Sequence, residues 1–288
     1  SIDMAGASVS IMKVDEQLKD LLSEISEAPA FKVSGPVDTV EYVDIDECDK
    51  DSNEVSFEVE TNESFSKIED NKLTLQNMMY IVDKMSEVII KNEVPFCELD
   101  SHAGDGDFGM SVAKGFKQLK REWKNIISHK NLNIGEFLNE CSMVIMEHCG
   151  GASGPIWGSA FRAASKSTGE KMELTVSDFA NMMQSAVNGV QSTGERSFGR
   201  GAVVGDKTLI DALVPCADSW KVSANENDSF KVTFEKGAKK AVEGAKATEQ
   251  IVARMGRAGT VGDRSLGYPD AGAYGLGVIF TEIANNLK

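Results

Sequence analysis

The stretch Leu99-Asp100-Ser101-His102-Ala103-Gly104-Asp105-Gly106-Asp107-Phe108-Gly109 concentrates more reactive groups than any other part of this chain. Asp100, Asp105 and Asp107 set three carboxylates close together, with Gly104 and Gly106 among them. Carboxylates this near repel one another unless something positive lies between them. A hard divalent cation such as Mg2+ takes oxygen ligands and commonly bridges them to a phosphate. The glycines let the backbone turn tightly and approach a ligand. An apolar-periodic segment follows, and a helix starting near Asp107 would aim unpaired N–H groups at an anion. These features predict a magnesium–nucleotide site. The alternative is an acidic surface loop that ends in a helix cap. His102 is expected to be exposed or to support the site from behind, and His129 and His148 lack a partner cluster.

Such a loop needs a scaffold. At 288 residues the chain suits one large domain or two smaller ones. A formal net charge of −15 argues against nucleic acid or an anionic membrane as the main partner. No stretch is long and apolar enough to span a bilayer. Cys48, Cys97, Cys141, Cys149 and Cys216 are scattered and lack C-x-x-C spacing, which fits the reduced thiols of a cytoplasmic protein better than disulfides or zinc.

From Lys72 onward, eight segments carry helical spacing. The first is capped by Thr74, places Leu75, Met78, Met79, Val82, Met85 and Ile89 on one face, and stops before Pro95. The second follows the acidic cluster. The third opens with Asn133 and Glu136 at capping-box spacing and runs to about residue 148. The fourth starts at Pro155, and the fifth covers about 175–190. The sixth follows Asp206, the seventh covers about 230–255 and the eighth about 271–287. The methionine-rich faces read as core filler. Strand signals are weak, so this region is expected to be an all-α, up-and-down bundle.

The connections alternate in kind. Asp100–Gly109, Gly150–Pro155, Gly199–Thr208 and Gly256–Gly272 are rich in glycine, whereas those near 128–132, 167–174 and 223–229 are plain and polar. In an up-and-down bundle alternate connections fall at the same end, so the four glycine-rich loops should meet at one rim. Three carboxylates there can hold two metal ions that bridge nucleotide phosphates and leave the terminal phosphoryl group free for in-line transfer. Gly151, Ala152 and Ser153 precede a helix start and can hold a phosphate, or form a tight interhelical turn. Arg257 and Arg264 are candidates for contacts to phosphate or to the carboxylates, with a surface ion pair as the alternative. Lys207 either pairs with Asp206 or Asp211 or meets a ligand. Gly199 to Lys207 comes near G-x-x-x-x-G-K-[ST], but the lysine does not follow the last glycine directly, so a P-loop is rejected.

The first 71 residues differ in texture. Residues 8–14 alternate like a strand, and Asp15 to Glu27 reads as a short amphipathic helix with Leu18, Leu21, Leu22 and Ile25 on one side. A strand without partners is not stable alone, so residues 1–34 are expected to belong to a larger unit. Residues 35–71 are dominated by Asp and Glu and read as an extended acidic linker. Within it Asp49–Glu60 mimics a calcium loop but has Glu54 where glycine is required. Residues 55–59 have the makings of an edge strand.

Residues 72–288 resemble the nucleotide-binding L domain of dihydroxyacetone kinases. The resemblance rests on Leu99-Asp100 with Gly104-Asp105-Gly106-Asp107, on Gly150–Gly154, and on Gly205-Asp206-Lys207-Thr208 with Asp211–Pro215. It continues through Gly256-Arg257-Ala258, Gly262–Gly267 and Asp270-Ala271-Gly272. Residues 1–34, through Met4–Ser8 and Val14-Asp15-Glu16, look like the C-terminal tail of the substrate-binding K domain of the same kinases. The resemblance implies a K–linker–L fusion of which this chain is a piece, and an eight-helix barrel with ATP or ADP at one rim. It implies that Asp100, Asp105 and Asp107 hold two Mg2+ ions and, with Arg257, serve catalysis. Phe108, Gly109, Met110, Ser111, Gly151, Ala152, Ser153, Gly201, Leu209, Arg257, Asp270, Ala271 and Gly272 would line the nucleotide. Phe108, Ala152 and Ala271 stand where histidine, threonine and proline are frequent, which would remove polar contacts near the phosphates and loosen the covering loop. The implied activity is Mg-dependent phosphoryl transfer from ATP to dihydroxyacetone held by a K domain, in cis or from another subunit, with a homo-oligomer expected for the full-length enzyme. An ADP-retaining phosphocarrier subunit and a non-catalytic nucleotide-binding module are the rival readings.

Overall fold

Residues 12–28, 31–33 and 57–288 are described by the computed structural model, and the chain divides into two units, Ser1–Glu54 and Val55–Lys288. In the first unit Asp15 caps α1 (Glu16–Ser23), its carboxylate accepting from the Leu18 N–H at 2.8 Å. The helix is shorter than its apolar pattern because β1 (Ser26–Ala28) turns back to pair antiparallel with β2 (Phe31–Val33). The strand expected over 8–14 lies partly outside the described residues, and 12–14 form none. Most of the calcium-loop mimic also lies outside them, and residues 57–59 are not in a strand.

The second unit is a ring of helices. In order they are α2 (Leu75–Lys91), α4 (Phe108–Ile127), α5 (Ile134–His148), α6 (Ser153–Thr168), α7 (Val176–Phe198), α8 (Ile210–Glu226), α9 (Phe230–Ala247) and α10 (Ala271–Asn286). Each packs on the next, and α10 packs back on α2, so the eight helices close a barrel. A short α3 (Glu93–Asp100) leads from α2 into the acidic loop and touches α4 and α10. The sequence pattern stops the first helix before Pro95. Instead the proline sits in the first turn of α3, where its missing N–H would have had no intrahelical partner. Met78, Met85, Met182 and Met183 line an apolar cavity of about 100 Å³ within the barrel, the filler role expected of them. Among the described residues no helix is long and apolar enough to cross a membrane.

The plain connections meet at one end, here called the base. Leu73 and Thr74 (β3) pair antiparallel with Leu174 and Glu173 (β4). The Leu75 N–H donates to Met172 C=O at 3.1 Å, and the Ile134 N–H to Lys171 C=O at 3.0 Å. Asn71 reaches across to the start of α9, accepting from the Phe230 N–H at 2.8 Å. The end of the predicted linker also belongs to this unit. Asp83 and Lys120 form a buried ion pair. The Asp83 carboxylate accepts from the N–H groups of Glu60 and Thr61, both at 2.8 Å, and Lys120 donates to Glu58 C=O at 2.8 Å. Ser66 and Ile68 pair with Lys288 through two backbone bonds of 2.9 Å. Charge composition reads residues 57–71 as solvated, but these partners, remote in sequence, hold them on the barrel.

Candidate functional site

Asp100 is the last residue of α3, not a loop residue, and the acidic loop is wrapped around its side chain. Its Oδ2 accepts from the N–H groups of Gly106 at 2.9 Å, Asp107 at 3.2 Å and Phe108 at 3.4 Å. A Cβ on Gly104 would lie 2.2 Å from this carboxylate, so only glycine allows the wrap. The fold thus returns Asp105 and Asp107 toward Asp100, and one oxygen from each of the three lies within 4.8 Å of the others. Arg257 from the α9–α10 loop pairs with Asp105. One guanidinium against three carboxylates leaves the cluster short of positive charge. Three hard oxygen donors with unbalanced negative charge suit Mg2+.

The trio opens into a cleft lined by all four glycine-rich connections. The second wall is the start of α6. Its N-cap position, Ala152, makes no side-chain bond to the helix, and Gly151 before it has φ +51°. A Cβ on Gly150 would press on Ser111 Oγ at 2.8 Å, and the Gly150 N–H donates to Ser111 C=O at 2.9 Å, which fixes this loop against α4.

The third wall is Lys207, Thr208 and Leu209. Behind it Arg200 grips Asp206 through two bonds, and its hydrogen bonding holds that carboxyl below the usual carboxylate range. Asp211 caps the turn, accepting from the Gly205 N–H at 2.6 Å and the Thr208 N–H at 2.8 Å. Lys207 pairs with neither aspartate. Its ammonium, in a side chain that is 1% exposed, donates to the carbonyls of Thr248, Ser265 and Tyr268.

The fourth wall is the α9–α10 loop, with Met255 to Ala258 and Asp270 to Gly272. Asp270 caps α10, its Oδ2 accepting from the Ala273 N–H at 2.8 Å. Withdrawal from water pushes its carboxyl up to about 7, with Asp211 and Asp100 adding to the rise while the Ala273 N–H and Lys207 oppose it. Outside the cleft, His102 stacks on Tyr268 with ring centroids 3.7 Å apart, a second bridge from the acidic loop to this wall.

Of the residues expected at the site, Asp100, Asp105, Asp107, Phe108, Ser111, Gly151, Ala152, Ser153, Leu209, Arg257, Asp270, Ala271 and Gly272 line the cleft. Gly109, Met110 and Gly201 do not. Gly109 lets α4 approach α3, where a Cβ would meet Glu93 C=O at 1.9 Å. Met110 is exposed on α4, and Gly201 lies against Gln191 of α7. Arg264 is exposed and away from the cleft. Phe108 turns its ring to Phe96, 6.0 Å away, and its edge lies against Gly275 of α10. Ile156, Trp157 and Met255 line the cleft without being marked by any motif; their signal is position, just after Pro155 and just before Gly256-Arg257.

Residues 102–285 match the DAK2 domain family. This chain belongs to that family. The chain is 34% identical, over 175 residues, to the PEP-dependent dihydroxyacetone kinase, ADP-binding subunit DhaL, of Escherichia coli, covering 61% of this chain and 79% of that protein. The whole chain is 26% identical to D-erythrulose kinase of Mycolicibacterium smegmatis, covering 99% of this chain and 47% of the enzyme. The chain therefore spans about half the length of that kinase. A crystal structure of the dihydroxyacetone kinase from C. freundii in complex with AMP-PNP and Mg2+ superposes with a TM-score of 0.53 at 21% identity, over 94% of this chain and 42% of that one. That likeness establishes the helical DAK2 fold.

Proposed function

We propose that this chain is the nucleotide-binding, phosphoryl-donor part of a kinase acting on a short ketose such as dihydroxyacetone, with ATP and Mg2+ at the four-loop cleft. The observation that carries the reading is the convergence of Asp100, Asp105 and Asp107 in a cleft that also holds the uncapped start of α6 and Arg257. Mg2+ held by the three carboxylates would neutralise phosphate charge. The N–H groups of Gly151 and Ala152, with the Ser153 hydroxyl, would receive a phosphate in the field of the α6 dipole. Arg257 would exchange Asp105 for the charge that develops on the transferred group. Phe108, Leu209 and Ala271 would give the nucleotide apolar contact. The ketose would be held by a K-type domain, as the kinase names of relatives twice this length suggest. The test is a nucleotide titration with and without Mg2+, repeated with Asp105→Asn. Tight Mg-dependent binding that the substitution weakens supports the reading, and binding indifferent to both refutes it. The chain alone is expected to bind Mg-ATP and to phosphorylate dihydroxyacetone poorly or not at all, and turnover at the rate of an intact fusion enzyme would contradict that.

A second reading, an ADP-retaining phosphocarrier, is favoured by the 34% identity to an ADP-binding subunit. A chase experiment separates them: ADP released over many minutes indicates the carrier, and release within seconds indicates a kinase that exchanges ATP. A nucleotide-binding module without catalysis would bind in the titration yet transfer no phosphoryl group after a K domain is added.

A further inference from the structure

We propose that Lys207 is a positioning residue, a built-in cation around which the segment from Thr248 to Asp270 folds into the wall that carries Arg257 and Asp270. This segment has little regular structure to hold it, only the short 3-10 turns Thr248–Gln250, Ala258–Thr260 and Gly262–Ser265. Such a loop needs partners for its backbone groups. Three of its carbonyls, Thr248, Ser265 and Tyr268, converge on the Lys207 ammonium. An ammonium has three protons and no acceptor, so these carbonyls use its whole donor capacity and leave none for a phosphate. The neighbouring backbone reinforces the same centre. The Arg254 N–H donates to Asp206 C=O at 3.0 Å, beside Lys207 in sequence. Within the segment, the Ala253 N–H donates to Ser265 Oγ at 2.9 Å, and the Gly267 N–H to Glu249 C=O at 2.9 Å. The Asp270 N–H donates to Thr248 Oγ1 at 2.8 Å.

Two further observations separate this role from a direct grip on ligand. Lys207 is held at φ +61°, a left-handed conformation that costs a non-glycine residue energy and persists only where the surroundings impose it. Burial of the side chain also depresses the basicity of the ammonium, an expense that carbonyl dipoles and the nearby Asp270, Glu249 and Asp211 offset. The arrangement resembles a monovalent cation bound by backbone oxygens, with the cation tethered to the loop that must stay beside it. That this wall serves a nucleotide rests on the reading of the cleft given above. The folding of the segment does not.

Hydrogen exchange on the full chain, without nucleotide, tests the proposal with Lys207→Met. Amides of residues 249–270 are expected to exchange about tenfold faster or more, while those of α5 and the base stay within about twofold. Equal loss across the barrel, or no change in the segment, would overturn it. Lys207→Ala leaves the three carbonyls facing a gap, so added methylammonium should restore protection while tetramethylammonium at equal ionic strength should not. Failure of both to restore it counts against the proposal. Should neither variant fold, side-chain 15N spectra of the parent give the answer. A Lys207 ammonium with slow proton exchange and no shift on adding Mg-ATP supports the positioning role. One that exchanges as fast as surface lysines, or shifts with Mg-ATP, refutes it. Absence of nucleotide binding by the parent chain would sink the kinase reading and leave the exchange result standing.

Discussion

The two ends of the barrel are made from the same helices and finished in opposite ways. At the base, Thr74, Asn133, Thr175 and Ser229 each cap the helix they precede, the first three as reciprocal capping boxes. At the cleft, the N-cap positions of α4, α6 and α8 make no side-chain bond to their own helices, and only α10 is capped, by Asp270. Among the described residues, the two buried lysines follow the same division. Lys120 meets a carboxylate and anchors residues 58–61, whereas Lys207 meets only carbonyls and shapes the wall of the cleft. The base is satisfied by its own sequence. The cleft keeps unbalanced negative charge and, at α6, a helix start without a side-chain cap, the condition of a surface that a charged ligand completes.

Substitutions at the two ends should therefore separate stability from binding. The largest effect is expected for Lys120→Met, which leaves Asp83 buried without its cation. Denaturant unfolding should show a loss of about 3–5 kcal/mol, with Mg-nucleotide affinity unchanged in the protein that remains folded. Asp107→Asn should do the reverse. Calorimetric titration should show Mg-nucleotide affinity reduced by about 100-fold, with no loss of stability in the free protein because a like-charge repulsion is relieved. Next comes Asp270. Its folded carboxyl titrates near 7, above the unfolded value, so the folded chain keeps a proton that the unfolded chain has shed. Stability should decline as pH rises from about 4 to about 7 and level off above, and Asp270→Asn should abolish that decline while keeping the α10 cap. Smallest is Asn133→Ala at the base. It should cost about 1 kcal/mol, a fall of about 2–4 °C in Tm, and leave nucleotide titrations unmoved. If Asn133→Ala weakened nucleotide binding as much as Asp107→Asn, the division between the ends would collapse.

The parts of this arrangement that sequence revealed are those written in local spacing. Asn133 and Glu136 announce a helix start, and glycine enrichment in alternate connections announces which loops share an end. What escaped was decided by contacts between residues far apart in the chain. Pro95 reads as a stop until it is seen to occupy the first turn of α3. The helix expected to fade near Val190 continues to Phe198, and the one expected to reach Met255 ends at Ala247, where the chain turns to place Thr248 beside Lys207. Residues 57–71 carry a linker's composition, yet Asp83 and Lys120, on two different helices, supply their partners. Lys207 was weighed as an ion-pair or ligand residue because sequence shows its acidic neighbours but cannot show three carbonyls 41 to 61 positions away. Gly201 drew attention as one more glycine in a glycine-rich loop, and its neighbour turned out to be Gln191.

Closure of the ring by α10 against α2 bears on how the protein is made. A ribosome delivers α10 nearly two hundred residues after α2, which at about 5–20 residues per second is roughly ten to forty seconds of synthesis. Through that interval the nascent barrel has an open seam, with the apolar side of α2 lacking Leu276 and Ile283, which line the same cavity as Met78, Ile81, Val82 and Met85. The seam is the stretch where a chaperone would bind during translation, and it shuts only when the α10 helix emerges from the exit tunnel.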